Sequence, residues 1–174
     1  AGPTNMGGRI STIAAHPAEP ETVYVGAANG GIFKTTDGGD SFTQIFDDFP
    51  SVSMGDIAIA PSNKNKIYVG TGEANGGGGS MSFDGLGLWK SGDAGQNWQP
   101  IGLENIASVG KIVVDPTDEN RLFVAGMGDL YGNDPERGIF RSLDGGATWV
   151  KSLFVNDSTG GIDLAMNPAD PNIV

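Results

Sequence analysis

One eight-residue pattern occurs three times in this chain and constrains its fold more than any other feature. The pattern Ser-x-Asp-x-Gly-x-Thr-Trp is complete at residues 142–149, and it recurs with small changes at 91–98 and 35–42. An Asp in such a turn can accept hydrogen bonds from nearby backbone N–H groups, and glycine adopts the positive φ angles that a tight turn needs. We name each copy a turn motif. Three copies in one chain indicate a repeat protein.

Each turn motif is predicted to be structural. The Asp and the Gly at the fifth position of the motif stabilise the turn. The aromatic residue at the last position packs between sheets. These structural positions are Asp37, Gly39, Phe42, Asp93, Gly95, Trp98, Asp144, Gly146 and Trp149.

Short β-rich runs recur at the same places around the turn motifs. Four prolines, Pro17, Pro61, Pro116 and Pro168, lie 44, 55 and 52 residues apart, and each follows a short run that we predict to be a strand, strand A. After each of the first three prolines comes strand B, then strand C running directly into the turn motif, then strand D. Four short strands in a repeat of this length are typical of a β-propeller blade. The predicted fold is therefore all-β, built from four-stranded antiparallel meanders.

The chain divides into about three complete blades and the first strand of a fourth. We predict blade 1 at about residues 9–46, blade 2 at 54–102, blade 3 at 109–154, and the start of blade 4 at 160–174. The 29 glycines and 10 prolines suit such short, punctuated segments. Because propellers have about four to eight blades, we expect residues 1–174 to be part of a larger propeller. Its partners would be the remaining blades of the same polypeptide or neighbouring subunits.

Composition excludes several classes of partner and site. A net charge of −11 with only ten Lys and Arg residues argues against nucleic acid as a partner. No apolar run is long enough for a membrane span. The chain has no cysteine and a single histidine, His16, so a thiolate or multi-histidine metal site is not expected. His16 lies just before Pro17, and we predict a structural role for it in that turn.

The turn motif matches the Asp-box of bacterial-neuraminidase-type repeats. Strand C followed by this motif resembles the propellers of sortilin-type receptors and of xyloglucanase-like glycoside hydrolases. The stretches 2–9 and 70–75, with the Pro-x-Asp/Asn-x-Asn loops, are similar to secreted bacterial sortilin-like or Asp-box repeat proteins. The resemblance covers essentially the whole chain. It implies a β-propeller that is exported in the bacterial manner to the cell surface or the extracellular space.

The same resemblance bears on catalysis. Xyloglucanase-like enzymes place a catalytic Asp in the first blade just before a Gly-Gly pair, and this position is Ala28 here. Sialidases use three arginines on separate blades, of which only Arg9 has a superficial match. We predict a structural or blade-joining role for Arg9. A glycosidase needs two carboxylic residues about 5–9.5 Å apart, and the acidic candidates are Glu73, Asp84 and Asp56.

The loops between strands B and C are the predicted binding face. In a meander these B–C loops lie at the end opposite the turn motifs, and the B-to-C glycine separation varies from 5 to 17 to 12 residues. Variable loops on a rigid scaffold commonly carry binding. Aromatic rings among polar groups suit a polysaccharide or protein ligand, although a solvated acidic loop is an alternative. The binding candidates are Glu73, Asn75, Phe83, Asp84, Asp129, Tyr131 and Asp134.

No cofactor is predicted, except that calcium is possible. The acidic and amide oxygens between Asp129 and Asp134 are of the kind that Ca²⁺ binds, without the spacing of an EF-hand.

Three functions remain open at this point. The favoured hypothesis is an exported, non-enzymatic propeller segment that binds a glycan or a protein through its B–C loop face. The second is a xyloglucanase-like glycoside hydrolase with catalytic residues partly outside this segment. The third is a structural subunit of an extracellular assembly.

Overall fold

A computed structural model describes residues 9–75 and 82–174 of the chain. Twelve strands form three separate four-stranded antiparallel sheets. The strands are β1 (Ile10–His16), β2 (Glu19–Ala27), β3 (Ile32–Thr35), β4 (Thr43–Phe46), β5 (Met54–Ala60), β6 (Asn63–Thr71), β7 (Leu88–Ser91), β8 (Gln99–Pro100), β9 (Val109–Val114), β10 (Leu122–Gly126), β11 (Gly138–Ser142) and β12 (Val150–Leu153). Within the described ranges no helix is long and apolar enough to cross a membrane.

Each sheet is a meander in which strands follow one another in chain order. The orders are β1-β2-β3-β4, β5-β6-β7-β8 and β9-β10-β11-β12. The four strands of each sheet correspond to the predicted strands A to D, and every turn motif connects strand C to strand D. The all-β prediction of propeller blades is confirmed: the chain folds as part of a β-propeller.

The blades are held together by apolar side chains between neighbouring sheets. Between blades 1 and 2 the buried cluster includes Tyr24, Phe46 and Ile57, with Trp89 and Trp98 packed against it. Phe46 stacks on a second phenylalanine, Phe49, with ring centroids 4.0 Å apart. A second cluster fills the space between blades 2 and 3. Since burying a large apolar side chain contributes about 1.5–3 kcal/mol, the packing between neighbouring sheets stabilises the array.

Each turn motif is closed by its own Ser or Thr and Asp side chains. In the third copy, the N–H of Gly146 donates to Ser142 Oγ at 2.8 Å, and the N–H of Thr148 donates to Asp144 Oδ1 at 2.9 Å. Thr148 Oγ1 donates to Asp144 Oδ2 at 2.6 Å. The other two motifs repeat these bonds. Both carboxylate oxygens of the motif Asp therefore accept hydrogen bonds from its own turn.

The turn-motif carboxylates predict a loss of stability in acid. Hydrogen bonds, first from the Asn97 side chain and from the Thr148 side chain respectively, lower the pKa of Asp93 and of Asp144 to about 2. The pKa of Asp37 is also lowered, chiefly by Ser41. A folded-state pKa below the ordinary value near 3.8 means that the contribution is complete above about pH 4 and disappears as the pH falls towards 2.

Denaturant unfolding measured at pH 7, 4, 3 and 2 tests this dependence. Asp144→Asn is expected to be less stable at pH 7 and to show a flatter pH dependence between 4 and 2 than the parent chain. Asp47→Asn, at an exposed site outside the motifs, serves as the control. Parallel pH curves for the parent and Asp144→Asn would contradict the assignment.

The predicted first strand of a fourth blade is not among the twelve strands. Segment 160–174 runs as turns and non-strand backbone. Its beginning still lies against blade 3, because the N–H of Gly161 donates to the carbonyl of Gly126 at 2.9 Å. Strand A of every blade pairs with strand B of the same blade. No strand B lies beside segment 160–174 in the described residues, so its backbone lacks the ladder that defines a strand.

Candidate functional site

The B–C loops of the three blades lie on one face of the array. They connect β2 to β3, β6 to β7 and β10 to β11. Because neighbouring strands are antiparallel, these loops lie at the opposite end of each sheet from the turn motifs. The links from strand D to the next strand A lie on this same face.

A groove of about 350 Å³ opens on this face between blades 1 and 2. Blade 1 contributes Asn29, and the link between β4 and β5 contributes residues 50–53. Blade 2 contributes residues 83–86, among which the side chains of Phe83 and Leu86 are 47% and 44% exposed. The groove thus combines two accessible apolar side chains with hydroxyl, amide and carboxylate groups. This mixture is typical of a small-ligand site.

The walls of the groove are fixed by buried hydrogen bonds. Thr71 Oγ1 accepts the N–H of Leu86 at 2.7 Å and donates to the carbonyl of Gly87 at 2.8 Å. On the opposite wall, the carbonyl of Val52 accepts the N–H groups of Gly30 and Gly31 at 3.0 and 2.8 Å. Ser51 Oγ adds a bond between the two walls, donating to the carbonyl of Asp84 at 3.2 Å. The side chains of Phe83 and Leu86 take no part in these bonds and are exposed to a ligand.

Glu73 lies beneath this face and is paired with Arg9. The carboxylate is 1% exposed and forms an ion pair with the Arg9 guanidinium. Arg9 Nη1 also donates to the carbonyl of Asn75 at 3.4 Å, and the Arg9 carbonyl accepts the N–H of Ala28 at 2.8 Å. Arg9 therefore joins blade 1 to the B–C loop of blade 2, as its predicted blade-joining role requires. This geometry makes Glu73 part of the blade interface and not part of the open groove surface.

Asp56 also has a structural position. It is 3% exposed on β5, where Thr12 Oγ1 donates to its Oδ1 at 2.8 Å and the N–H of Ile112 donates to its Oδ2 at 2.8 Å. Lys111 Nζ lies 3.2 Å from the same Oδ2. One carboxylate thus links the innermost strands of three consecutive blades. Of the three acidic candidates, Asp84 is the one that faces the groove.

The candidates in blade 3 mainly shape their own loop. Asp134 accepts the N–H groups of Asp129 and Glu136, each at 2.8 Å, and Asp129 Oδ1 accepts the N–H of Tyr131 at 2.8 Å. The buried Arg137 donates to the carbonyls of Asp129 and Gly132. In the part of the chain that the structure describes, no cluster of three or more His, Asp or Glu side chains could hold a metal ion. The calcium hypothesis therefore gains no support from this loop.

The structure brings two of the predicted loops together. Tyr131 Oη lies 3.0 Å from Ser82 Oγ, so the blade 3 loop touches the blade 2 loop on the exposed face. Asn75 is exposed near Arg9. The predicted binding residues therefore form three sets. Phe83 and Asp84 line the groove, and Glu73 and Asn75 contact Arg9 at the blade interface. Asp129, Tyr131 and Asp134 belong to the blade 3 loop, which contacts the blade 2 loop at Ser82. The run Gly76–Gly79, part of the same predicted insert, lies outside the described residues.

Sequence reasoning missed the residues that complete the groove. Asn29, Ser51 and Leu86 line the groove, but none of them recurs at the equivalent position of the other blades. The available signal was Leu86, an apolar residue between two glycines in a loop.

Two other positions singled out from the sequence lie away from the groove. Ala28, at the place of the catalytic Asp in xyloglucanase-like enzymes, is buried. His16 Nδ1 accepts the N–H of Ala18 at 3.1 Å, and His16 Nε2 lies 3.0 Å from the carbonyl of Pro61. With Nδ1 as the acceptor, Nε2 carries the proton and donates to that carbonyl. His16 thus closes its own turn and contacts the next blade.

The curated proteins with similar sequences are xyloglucanases. A xyloglucanase of Paenibacillus sp. is 26% identical over 175 residues, which covers 81% of this chain and 16% of the relative. Xyloglucanase Xgh74A of Acetivibrio thermocellus is 29% identical over 174 residues, covering 80% of this chain and 19% of the relative. The chain therefore spans less than a fifth of the length of these curated relatives. No protein-family model matches the sequence.

Solved structures agree with the sequence comparison. The GH74 enzyme of Niastella koreensis superposes with a TM-score of 0.62 at 27% identity, covering 87% of this chain and 23% of the enzyme. This chain is thus a partial β-propeller that is similar in sequence and in fold to GH74 enzymes.

Proposed function

We propose that this propeller segment binds a neutral polysaccharide chain in the groove between blades 1 and 2. The observation that carries the proposal is the groove itself, with an exposed Phe83 ring on one wall and polar groups of Asn29 and Ser51 on the other. The relatives support a polysaccharide, since xyloglucan is the substrate that their names state. This binding face is the same whether the whole protein is a binder or an enzyme.

The physical chemistry of the groove favours an uncharged sugar chain. A pyranose ring has an apolar face that can stack on Phe83, while its hydroxyl groups exchange hydrogen bonds with amide, hydroxyl and carboxylate groups at the rim. The net charge of −11 opposes an anionic polysaccharide through long-range repulsion. The volume of about 350 Å³ suits a short stretch of sugar units.

Titration calorimetry with xyloglucan oligosaccharides tests the proposal. Phe83→Ala is expected to weaken binding about tenfold, because removal of the ring costs on the order of 1.4 kcal/mol of stacking and burial. Phe154→Ala is a matched control, because Phe154 has almost the same exposure, 48% against 47%, but lies at the outer face of blade 3. Equal affinities of the Phe83→Ala and parent chains would remove this groove from consideration.

Glycoside hydrolysis is the second candidate, favoured by the xyloglucanase relatives. Asp84 is the groove-lining carboxylate in the described residues, and a glycosidase needs two such groups. The hydrolase proposal therefore places the second group elsewhere in a longer protein. Release of reducing ends from xyloglucan by a longer protein, lost in Asp84→Asn while oligosaccharide binding persists, would favour the enzyme over the pure binding protein.

Three finer expectations belong to this proposal. The turn motifs are Asp-boxes of the sortilin-like type, the protein is exported to the cell surface or extracellular space, and its blades continue into a larger propeller or assembly. The resemblance of the motifs and the xyloglucanase relatives support these statements. The non-enzymatic and hydrolytic alternatives share all three.

A further inference from the structure

The B–C loop of blade 3 is built around a carboxylate that faces its own backbone. Asp134 accepts two backbone N–H groups of the loop, one with each carboxylate oxygen and each at 2.8 Å. The loop is also held at its base, because the N–H of Met127 donates to the carbonyl of Ser108 at 2.9 Å. Residues 127–137 therefore follow one defined backbone path between β10 and β11.

A buried arginine holds the tip of this loop. Arg137 is 6% exposed, and its Nη2 donates to the carbonyls of Asp129 and Gly132. These two residues lie on either side of Tyr131 in the chain. Burial of a guanidinium is costly unless hydrogen bonds compensate it. The two bonds therefore tie the buried charge to the conformation of residues 129–132.

The side chain that this fixed tip presents is the ring of Tyr131. It is 76% exposed, the largest value among the large apolar and aromatic side chains of residues 9–75 and 82–174. Asp129 Oδ1 accepts the Tyr131 N–H at 2.8 Å, so the residue is held by its backbone while its ring stays accessible. A Tyr side chain has two χ angles, so a ring on a fixed backbone loses little conformational entropy when a ligand stacks on it.

The Tyr131 ring lies beside the groove between blades 1 and 2. Its Oη is 3.0 Å from Ser82 Oγ, and the next residue, Phe83, provides the exposed ring on the groove wall. Consecutive Cα atoms are about 3.8 Å apart, so the two rings occupy neighbouring positions on one face. A linear ligand that leaves the groove past Phe83 towards blade 3 would meet Tyr131.

The tip of the loop offers a ring and not a free charge. The carboxylates of Asp129 and Asp134 already accept backbone N–H groups, and the Arg137 guanidinium is buried. A cationic peptide would be recognised through accessible carboxylates, whereas the apolar face of a sugar is recognised by an exposed ring with polar groups around it. The loop therefore suits the same neutral ligand as the groove.

We propose that Tyr131 is a second stacking position for the polysaccharide chain, and that Arg137 is its positioning residue. The inference rests on the function proposed for the groove and extends it in one direction, from blades 1 and 2 to the B–C loop of blade 3. Affinity then depends on ligand length, because only a chain that extends beyond the groove contacts both Phe83 and Tyr131.

Titration calorimetry with two xyloglucan oligosaccharides tests this length dependence. The parent chain is expected to bind the dimer of the repeating unit about tenfold more tightly than the single unit, since one stacked ring contributes roughly that factor. Tyr131→Ala should abolish this difference and bind the single unit as the parent does. Tyr131→Phe retains the ring and should retain the difference. Leu143→Ala is the control, because Leu143 is 58% exposed on blade 3 but lies in the turn motif, at the opposite end of the sheet.

Arg137→Met tests the positioning role. It removes both hydrogen bonds to the loop carbonyls and leaves Tyr131 in place. At a temperature where circular dichroism shows the variant to be folded, it should lose the preference for the dimer and still bind the single unit. Arg137→Lys can donate to one of the two carbonyls, so it should recover part of the preference. A residue that only stabilises the blade would lower the melting temperature in both variants and leave the preference unchanged, which would overturn the positioning role.

The outcomes distinguish a failure at Tyr131 from a failure of the groove. If Phe83→Ala weakens binding of the single unit but Tyr131→Ala keeps the preference for the dimer, the second stacking position is overturned and the groove is supported. Equal losses of affinity for both oligosaccharides in Tyr131→Ala would place its ring within the groove itself and also overturn the second position. If the parent chain binds neither oligosaccharide, both proposals are wrong.

Discussion

Replacing Gly72 by alanine is expected to lower the free energy of unfolding by about 2–5 kcal/mol. Gly72 has φ +81, a conformation that costs an L-residue roughly 1–2 kcal/mol. A Cβ at this position would lie 1.9 Å from the carbonyl oxygen of Ala107 and 2.7 Å from the N of Gly85. Forcing these backbone atoms apart adds overpacking strain of about 1–3 kcal/mol. Denaturant unfolding of the two chains measures the sum.

Gly92→Ala is the matched control for this substitution. Gly92 lies in the turn motif of blade 2, no atom comes within 4 Å of a Cβ built there, and its φ is not in the positive range. Its replacement is expected to change stability by less than about 0.5 kcal/mol. If Gly72→Ala and Gly92→Ala unfold at the same denaturant concentration, the close backbone contacts at Gly72 do not affect the free energy of unfolding, and the prediction is wrong.

Gly72→Ala should also disturb the proposed groove. The N–H of Gly72 donates to the carbonyl of Ser53 at 2.8 Å, and the Gly72 carbonyl accepts the N–H of Val109 at 3.1 Å. These two bonds tie the B–C loop of blade 2 to the link before β5 and to blade 3. Oligosaccharide binding by Gly72→Ala, measured at a temperature where it is folded, should therefore be weaker than binding by Gly92→Ala.

The fold was predictable because the repeat places equivalent residues at equivalent distances. Once the turn motifs are aligned, the apolar run before each motif must be strand C, and the run before each proline must be strand A. The observed β3, β7 and β11 all run into a motif in this way. The first strand of blade 4 shows the limit of this reasoning. A local pattern indicates a tendency to extend, but a strand needs a partner to complete its hydrogen bonds.

The groove was only partly predictable, because it is formed between repeats. Phe83 and Asp84 stand out as an aromatic and an acidic residue in a long loop. Ser51 lies in the segment between β4 and β5, where the blades share no sequence pattern. It lines the groove because blades 1 and 2 pack side by side. Glu73 shows a second limit of the sequence. Its residue type suits catalysis, but its ion pair with Arg9, 64 residues away, could not be read from spacing.

Asp56→Ala is expected to cost about 2–4 kcal/mol of unfolding free energy. The change leaves the buried N–H of Ile112 without its acceptor, which alone costs about 1–3 kcal/mol. It also removes the hydrogen bond from Thr12 and the ion pair with Lys111, which is partly exposed and contributes less. Denaturant unfolding should therefore show a clear loss. Asp48→Ala, an exposed acidic residue in the link between blades 1 and 2, should be nearly neutral.

A second substitution, Asp56→Asn, distinguishes a structural role of Asp56 from a catalytic one. Asp56→Asn retains an oxygen that can accept the Ile112 N–H, so it should recover part of the stability lost in Asp56→Ala. If Asp56 only joins the three inner strands, both variants should bind xyloglucan oligosaccharides as the parent does while they are folded. Unchanged stability in Asp56→Ala would contradict the structural role. Normal stability and binding in Asp56→Asn, together with loss of reducing-end release from a longer protein, would instead return Asp56 to the catalytic candidates.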